Sequence, residues 1–405
     1  MTSASPSVDP MRRNVAVLAM AQVLFQCTQI MSIATTPLAG LAMLGGDTPY
    51  ATVPIFLTHL GLMSVTLPAA LLMGSVGRRA GFSLGAVLGM VSGFTSFLAI
   101  WNQSFVLLCI GAVLQGASAA FAWHYRFAAA DVATPQFRAK AISLVMAGGV
   151  IAAFLGPQIA KWSVGLFNPM LFAGVYLVLS ALAFGMLVLV QFVEIPFVAT
   201  AHGGRGGRPM RVIARQPKFL AAVLSSMFGY AVMTLVMSAT PLAMHACGFG
   251  FGDSATVIQW HAAAMFVPAF FTGSLITRFG VLRIISVGAV LEIGCALVNL
   301  AGIDFMNFLF ANILVGAGWN FCYVGGSTLL TSTYTQEEKA KVQGTHDFLV
   351  YSMTATAAAL SGTLQAKSGW AMVNLAALPM LSIVLAAALW LAWKQKQDGV
   401  AQAAE

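Results

Sequence analysis

Charge is what this sequence has least of. Only 8% of its 405 residues are Asp, Glu, Lys or Arg, against 59% hydrophobic residues. A water-soluble globule of this length must cover itself with polar groups and cannot hide so much apolar surface. Long polar stretches are also scarce, so there is little surface on which a soluble partner could dock. The five cysteines, Cys27, Cys109, Cys247, Cys295 and Cys322, form no C-x-x-C pair, and four lie inside apolar runs. A disulfide framework is therefore not expected. There is no Walker loop, no H-E-x-x-H and no nucleophile elbow, which argues against an ATP-driven pump and against an enzyme. No resident cofactor is expected.

What is present is apolar sequence in long pieces. Twelve runs lie near 14–43, 50–74, 81–101, 105–128, 140–162, 169–192, 219–242, 254–276, 281–301, 305–329, 342–365 and 370–393. In lipid every backbone group must pair internally, so a span is a helix or a strand of a closed barrel. Runs of roughly 20 residues suit tilted helices, whereas barrel strands need only about 10. The expectation is an all-α membrane protein with 12 transmembrane helices and the bilayer as its main partner. The first ten residues are polar and no cleavable signal is evident, so the first span is expected to stay in the membrane. With a cytoplasmic N-terminus, all of the 20 Lys and Arg except Lys161 and Lys367 fall on the inner side or at inner helix ends. The positive-inside rule then supports an even span number and two cytoplasmic termini. It also accounts for the net charge of +8 without a nucleic-acid partner.

The longest polar stretch, 194–218, is rich in Gly, Pro and Arg and divides the runs six and six. It reads as a cytoplasmic linker between an N-terminal six-helix bundle (1–193) and a C-terminal one (219–405). The halves echo each other at an offset near 200. Gly74–Gly81 matches Gly273–Gly280, Thr134–Lys140 matches Thr335–Lys341, and Thr36-Pro37-Leu38-Ala39 matches Thr240-Pro241-Leu242-Ala243. Twelve spans, a basic central loop and a short Gly/Arg loop after spans 2 and 8 resemble the major facilitator superfamily over nearly the whole chain. The usual acidic residue between the Gly and the Arg pair is missing from both loops. The resemblance implies two six-helix halves around a central cavity and alternating access.

Residues four apart share a helix face. Span 7 carries Met233-x-x-x-Met237 and span 8 carries His261-x-x-x-Met265. In an antiparallel hairpin Met237 stands level with His261 and Met233 level with Met265, giving two tiers of soft ligands. Thioether and imidazole suit copper, while hard-oxygen ligands for magnesium or calcium are lacking. The N-terminal half offers His59-x-x-x-Met63 in span 2 and Cys27-x-x-x-Met31 in span 1 as secondary ligands. With 21 Met in the chain, about one Met–Met pair at this spacing comes from composition alone, but two His–Met pairs exceed the roughly 0.3 expected. Met also packs membrane cores well, and a lone His is usually a satisfied bundle residue.

The span 7 and span 8 pairs, with Tyr125-Arg126-Phe127-Ala128-Ala129-Ala130-Asp131 in span 4, resemble the CcoA-type copper importers and their riboflavin-transporting relatives. The relatives lack the Met/His pairs. The resemblance implies copper import across a bacterial inner membrane for assembly of cbb-type cytochrome oxidase, with copper as transported substrate, Met233, Met237, His261 and Met265 as ligands, and copper chaperones as partners. Cys247, at the outer mouth beside Met244 and His245, is a candidate for copper capture or redox chemistry, or simply a small residue in a helix-ending turn.

Other polar groups within spans are candidates for coupling or gating. Glu292 lies near the middle of span 9, where an ionisable group is functional by default, although span 9 is peripheral in the superfamily. Arg126 and Asp131 at the inner end of span 4, and His346 and Asp347 at that of span 11, are candidates for inner-gate ion pairs or structural pairing. The alternative function is a flavin or other small organic solute, held by Trp123, Tyr125, Trp319, Asn320 and Tyr323. A membrane scaffold without transport is a third, for which the short loops leave little surface.

Overall fold

The computed structural model describes residues 10–46, 49–134, 137–195, 207–335 and 337–404. Among them every regular element is a helix. In chain order these are α1 (Pro10–Met43), α2 (Val53–Val76), α3 (Arg78–Trp101), α4 (Phe105–Ala122), α5 (Tyr125–Val132), α6 (Arg138–Ser163), α7 (Ala173–Val190), α8 (Met210–Ala214), α9 (Pro217–Ala246), α10 (Phe251–Phe266), α11 (Ala269–Phe279), α12 (Val281–Ala301), α13 (Phe305–Leu330) and α14 (Lys339–Ala404). Residues 196–206 of the linker, with His202, lie outside the described residues.

Each helix of crossing length coincides with an apolar run. Ten described helices are long and apolar enough to span a bilayer, or eleven when α10 and α11, bent by 43° at their junction, count as one span. The last apolar stretch, Lys341–Gln397, has 57 residues, about 85 Å at 1.5 Å per residue, enough for two crossings. Gly369, at φ 76° and ψ 178°, breaks it where runs eleven and twelve meet.

Two breaks inside spans have local causes. Pro268 caps α11 and has no N–H to give the carbonyl four residues back, so α10 ends at Phe266. Span 4 breaks at Trp123–His124, between α4 and α5. Pro68, in the corresponding part of span 2, lies inside a continuous α2.

The structure also fixes the register of the repeat. Gly77 (φ 90°, ψ 159°) and Gly280 (φ 89°, ψ 146°) each cap the following helix in a conformation that only glycine adopts readily. Those two are the equivalent positions, so the Gly/Arg loops match four residues out of the register that residue identity suggested. Arg78 and Arg79 therefore align with Val281 and Leu282.

The chain forms two compact units. The first comprises 1–35 and 60–200, the second 36–59 and 201–405. The boundaries fall within α1 and α2 as well as in the linker. In the first unit α3 packs on α4 and α7 through small residues. Ser92 donates to the Gly111 carbonyl at 2.7 Å, Ser118 to that of Gly85 at 2.7 Å, and Ser180 to that of Met90 at 2.9 Å. Small residues let helix backbones approach where lipid removes the hydrophobic drive to associate. Arg13 pairs with Glu194 at 2.7 Å, and Asn14 donates to the Glu194 carbonyl at 2.7 Å, which ties the start of α1 to the chain beyond α7.

In the second unit α9 packs on α14 and α13, and α12 on α13. Ser225 of α9 donates to the Cys322 carbonyl of α13 at 2.9 Å, and Asn299 of α12 to Asn374 of α14 at 2.8 Å. The end of the linker is clasped to the loop before α14. Arg208 donates to Glu338 through its backbone N–H (2.7 Å), Nε (2.9 Å) and a terminal nitrogen (2.8 Å), and to the Thr333 carbonyl at 3.0 Å. Gly207 precedes it at φ 87°, where a side chain would also collide with Glu338.

The Glu338 side chain is buried, and the Arg208 hydrogen bonds, with the Thr335 N–H, hold its carboxyl well below the usual range near 4.3. A depressed carboxyl stabilises the fold above its unfolded value, and that contribution fades as the pH falls toward the folded one. Arg208→Gln is therefore expected to lower thermal stability most at pH 7. The gap to wild type should narrow at pH 4.5, because the stranded carboxyl can then take a proton. Melting curves in detergent at both pH values check this, and an equal gap would refute it.

Candidate functional site

The chemistry-bearing side chains of the second unit gather on α9, α10 and α13. Aromatic rings come first. Trp319 and Tyr323, one turn apart on α13, stack with centroids 5.3 Å apart and planes only 9° from parallel. Tyr230 of α9 meets both edge-on, at 5.4 Å from each, and Tyr351 of α14 lies 6.2 Å from Tyr230. Such offset and T-shaped contacts are the favourable geometries for aromatic quadrupoles. Trp319 is buried, and its Nε1–H has no hydrogen-bond partner. A buried indole donor usually finds one, so this N–H is available to a guest.

Asn320 has a different role from its neighbours. Its side-chain nitrogen donates to the Met265 carbonyl at 2.8 Å, and its oxygen accepts from Thr272 at 2.7 Å. It thereby bridges the broken turn between α10 and α11, where backbone carbonyls have lost helical partners. This structural duty uses one of its two N–H donors and one lone pair of its oxygen.

The sulfur and imidazole groups lie beside this cluster. Met233 and Met237 are buried on the α9 face that carries Tyr230, at helical spacings of three and four. His261 is buried on α10, with Nδ1 at 2.9 Å from the Asn312 carbonyl of α13 and its backbone against Gly316, one turn from Trp319. An Nδ1–H donated to that carbonyl leaves Nε2 as the lone-pair nitrogen, and Nε2 has no partner. Met265 is half-buried at the kink. α10 packs chiefly against α13 and only lightly against α9. Among the described residues no three His, Cys, Asp or Glu side chains gather in a metal-binding group.

The secondary candidates are dispersed. Cys27 and Met31 are buried on α1 in the first unit. On α2, His59 is half-buried with Nδ1 against the Ile55 carbonyl of its own helix at 2.9 Å, and Met63 is half-buried one turn on. Cys247 caps α9 and is exposed, yet partial burial of its sulfur raises the thiol above its ordinary value. That lowers its thiolate fraction and suits a turn residue better than a redox one.

The gating candidates pair locally. Asp131 is ion-paired with Arg78 at 2.7 Å, not with Arg126. Arg126 instead lies over the rings of Phe127 (4.8 Å) and Trp123 (5.9 Å), with Nε unpaired. Asp347 sits against its neighbour His346 at 2.9 Å. In the first unit Trp123 meets Phe25 edge-on at 5.6 Å and Tyr125 meets Phe82 at 4.8 Å, so both rings serve packing between helices. Glu292 is fully buried on α12, and neither carboxyl oxygen has a partner.

The chain is similar to known transporters over nearly its whole length. The model of the Major Facilitator Superfamily matches residues 18–297. The riboflavin transporter RfnT of Brucella anthropi is 38% identical over 377 residues, 92% of this chain and 94% of its own. An uncharacterized MFS-type transporter of Bacillus subtilis, YddS, is 27% identical over 80% of this chain and 79% of its own. A bacterial homologue of the human lysosomal transporter Spinster, in an inward-facing, unoccupied conformation, superposes with a TM-score of 0.70 at 13% identity, over 95% of this chain and 97% of that one. The nucleoside transporter NupG gives 0.69 at 12% identity, over 93% and 98%. These two likenesses establish the fold. With its apolar helices and this family match over more than half its length, the chain belongs to the Major Facilitator Superfamily and is a multi-pass membrane transporter of that family.

Proposed function

We propose that this transporter carries riboflavin or a closely related flavin across a bacterial cytoplasmic membrane, with both termini on the cytoplasmic side. The observation that carries the reading is the parallel Trp319–Tyr323 stack edged by Tyr230, with the Trp319 N–H unpaired in a buried site. A planar tricyclic ring gains stacking energy on such a platform, and a flavin carbonyl can accept from the indole N–H. The 38% identity to a riboflavin transporter supports the same assignment. Copper, toward which the Met/His spacing points, has a narrower basis: His261 presents an unpartnered Nε2, with Nδ1 fixed by a backbone carbonyl, as metal-ligating histidines do.

One experiment separates the two readings. Cells expressing wild type, Trp319→Ala and His261→Ala, at matched membrane abundance, are assayed for uptake of labelled riboflavin and of labelled copper. Riboflavin uptake that falls with Trp319→Ala is the expected result. Copper uptake that falls with His261→Ala, without riboflavin uptake in wild type, would transfer the assignment to copper.

A further inference from the structure

The most unusual group outside the aromatic cluster is Glu292. It sits midway along α12, fully buried, with no hydrogen-bond partner for either oxygen. Its surroundings are built to fit it. A methyl group added at Gly318 of α13 would come within 2.6 Å of Glu292 Cγ, and one at Gly229 of α9 within 3.4 Å of Glu292 Oε1 and 2.7 Å of Cys322 Cβ. One at Gly288, a turn back on α12, would lie 2.8 Å from Cys322 Sγ. Gly229 and Gly318 thus make room for the carboxyl at the junction of α9, α12 and α13, and Gly288 makes room for Cys322 beside it.

No cation faces it. Between Lys218 and His245 on α9, along all of α13, and between Asp347 and Lys367 on α14, the sequence has no charged residue, and Arg283 and Arg278 lie at the ends of α12 and α11. The titratable groups near it are two thiols, Cys295 of its own helix and Cys322 of α13. An unpaired carboxylate in such a place is far costlier than a neutral acid.

The position also connects it to the ring cluster. Three residues of α9 and α13 beside the carboxyl are sequence neighbours of cluster aromatics: Gly229 of Tyr230, Gly318 of Trp319, Cys322 of Tyr323. The carboxyl lies behind the same two helices that carry the stacking platform. A solute that shifts α9 against α13 changes the cavity around Glu292, and the reverse holds by linkage.

We propose that Glu292 is a proton-binding site that couples solute transport to the proton gradient. When the junction loosens toward one compartment, the carboxylate takes a proton from hydronium, leaving water. The neutral acid persists while the junction is packed. When the junction loosens toward the other compartment, the proton passes to water and the carboxylate is regenerated, so one proton crosses per cycle. The proposal rests on the transporter reading above, with riboflavin as its probe.

Purified wild type and Glu292→Gln in proteoliposomes provide the test, in two measurements. With one pH unit of gradient, acid on the uptake side, one coupled proton should raise riboflavin accumulation about tenfold in wild type. The variant should gain nothing from the gradient while still exchanging labelled for unlabelled riboflavin. A variant that keeps the gradient stimulation, a wild type that shows none, or a variant that loses exchange as well would each overturn the proposal. Infrared difference spectra during a pH titration, without solute, form the second measurement. A protonated-carboxyl band present at neutral pH and missing from Glu292→Gln is expected, and a band common to both proteins, or to neither, overturns the proton site. If wild type exchanges no riboflavin, the flavin assignment fails, and the infrared titration still decides for or against Glu292.

Discussion

Trp319→Ala is expected to weaken riboflavin binding by roughly 5- to 150-fold, the equivalent of about 1–3 kcal/mol for removing one stacking ring. Two losses combine. The indole is one face of the 9° stack with Tyr323, and alanine leaves Tyr323 and Tyr230 without the plate they pack against. The unpaired Nε1–H goes with it, so a buried polar atom of the solute loses its donor. Trp319→Phe separates the two, because it keeps a ring on the platform and deletes only the N–H. Its affinity should fall between those of wild type and the alanine variant. Quenching of flavin fluorescence on titration with detergent-purified protein reads all three. Affinity unchanged in Trp319→Ala would remove the platform from the binding site. Met233→Ala, whose side chain shares the α9 face with Tyr230 but adds no ring, should cost less than Trp319→Ala if flavin is the solute. It should abolish transport if copper is.

These expectations rest on features of unequal legibility in the sequence. The spans were legible because hydrocarbon thickness sets a minimum apolar length, and each of the twelve runs finds helix. Their interruptions were less so. Pro268 was visible, but Pro68 in the other half leaves α2 unbroken, so the residue type alone does not decide. The spacing of Met233, Met237, His261 and Met265 correctly put each pair on one helix face. What each side chain faces depends on helix packing, and His261 is committed to the Asn312 carbonyl, 51 residues away on α13. Asn320 read as a solute contact, and the structure adds a bridge across a broken helix, a duty created only when α10 and α13 meet. His346 and Asp347 do meet, but the partner of Asp131 was hidden for the same reason. Asp131 is five residues from Arg126 yet bonds Arg78, and Arg208 finds Glu338 across 130 residues. The aromatic cluster was half legible: Trp319 and Tyr323 stand one turn apart on one run, but Tyr230 and Tyr351 come from helices whose placement no local pattern reveals.

Gly318→Leu is expected to cost the fold at or above the upper end of the roughly 1–3 kcal/mol typical of overpacking. The glycine sits where α12 and α13 touch backbone to backbone. A single added carbon would lie 2.8 Å from the Gly288 carbonyl oxygen and 2.6 Å from Glu292 Cγ. The second atom belongs to a side chain and can shift, but the first is main chain within a helix, so relief requires the helices to part. Parting them also opens the contacts of Gly288 with Cys322 and of Gly325 with Ile285, which lie along the same seam. Gly294→Ala is the matched control on α12. Its nearest neighbour would be Leu314 Cδ1 at 3.6 Å, ordinary contact distance, so it should be neutral or slightly stabilising, as alanine favours a helix. Thermal unfolding followed by size-exclusion fluorescence should show a large drop for Gly318→Leu and none for Gly294→Ala. Equal melting temperatures for Gly318→Leu and wild type would mean that the seam is not closely packed. Gly318→Ala is the informative intermediate for function. It should displace α13 by a fraction of an ångström while leaving Trp319 in place, and so perturb the stack and the Glu292 pocket together. A parallel loss of flavin affinity and of gradient-driven accumulation in that variant would tie the two to one seam, because Gly318 faces the carboxyl and its neighbour Trp319 faces the rings.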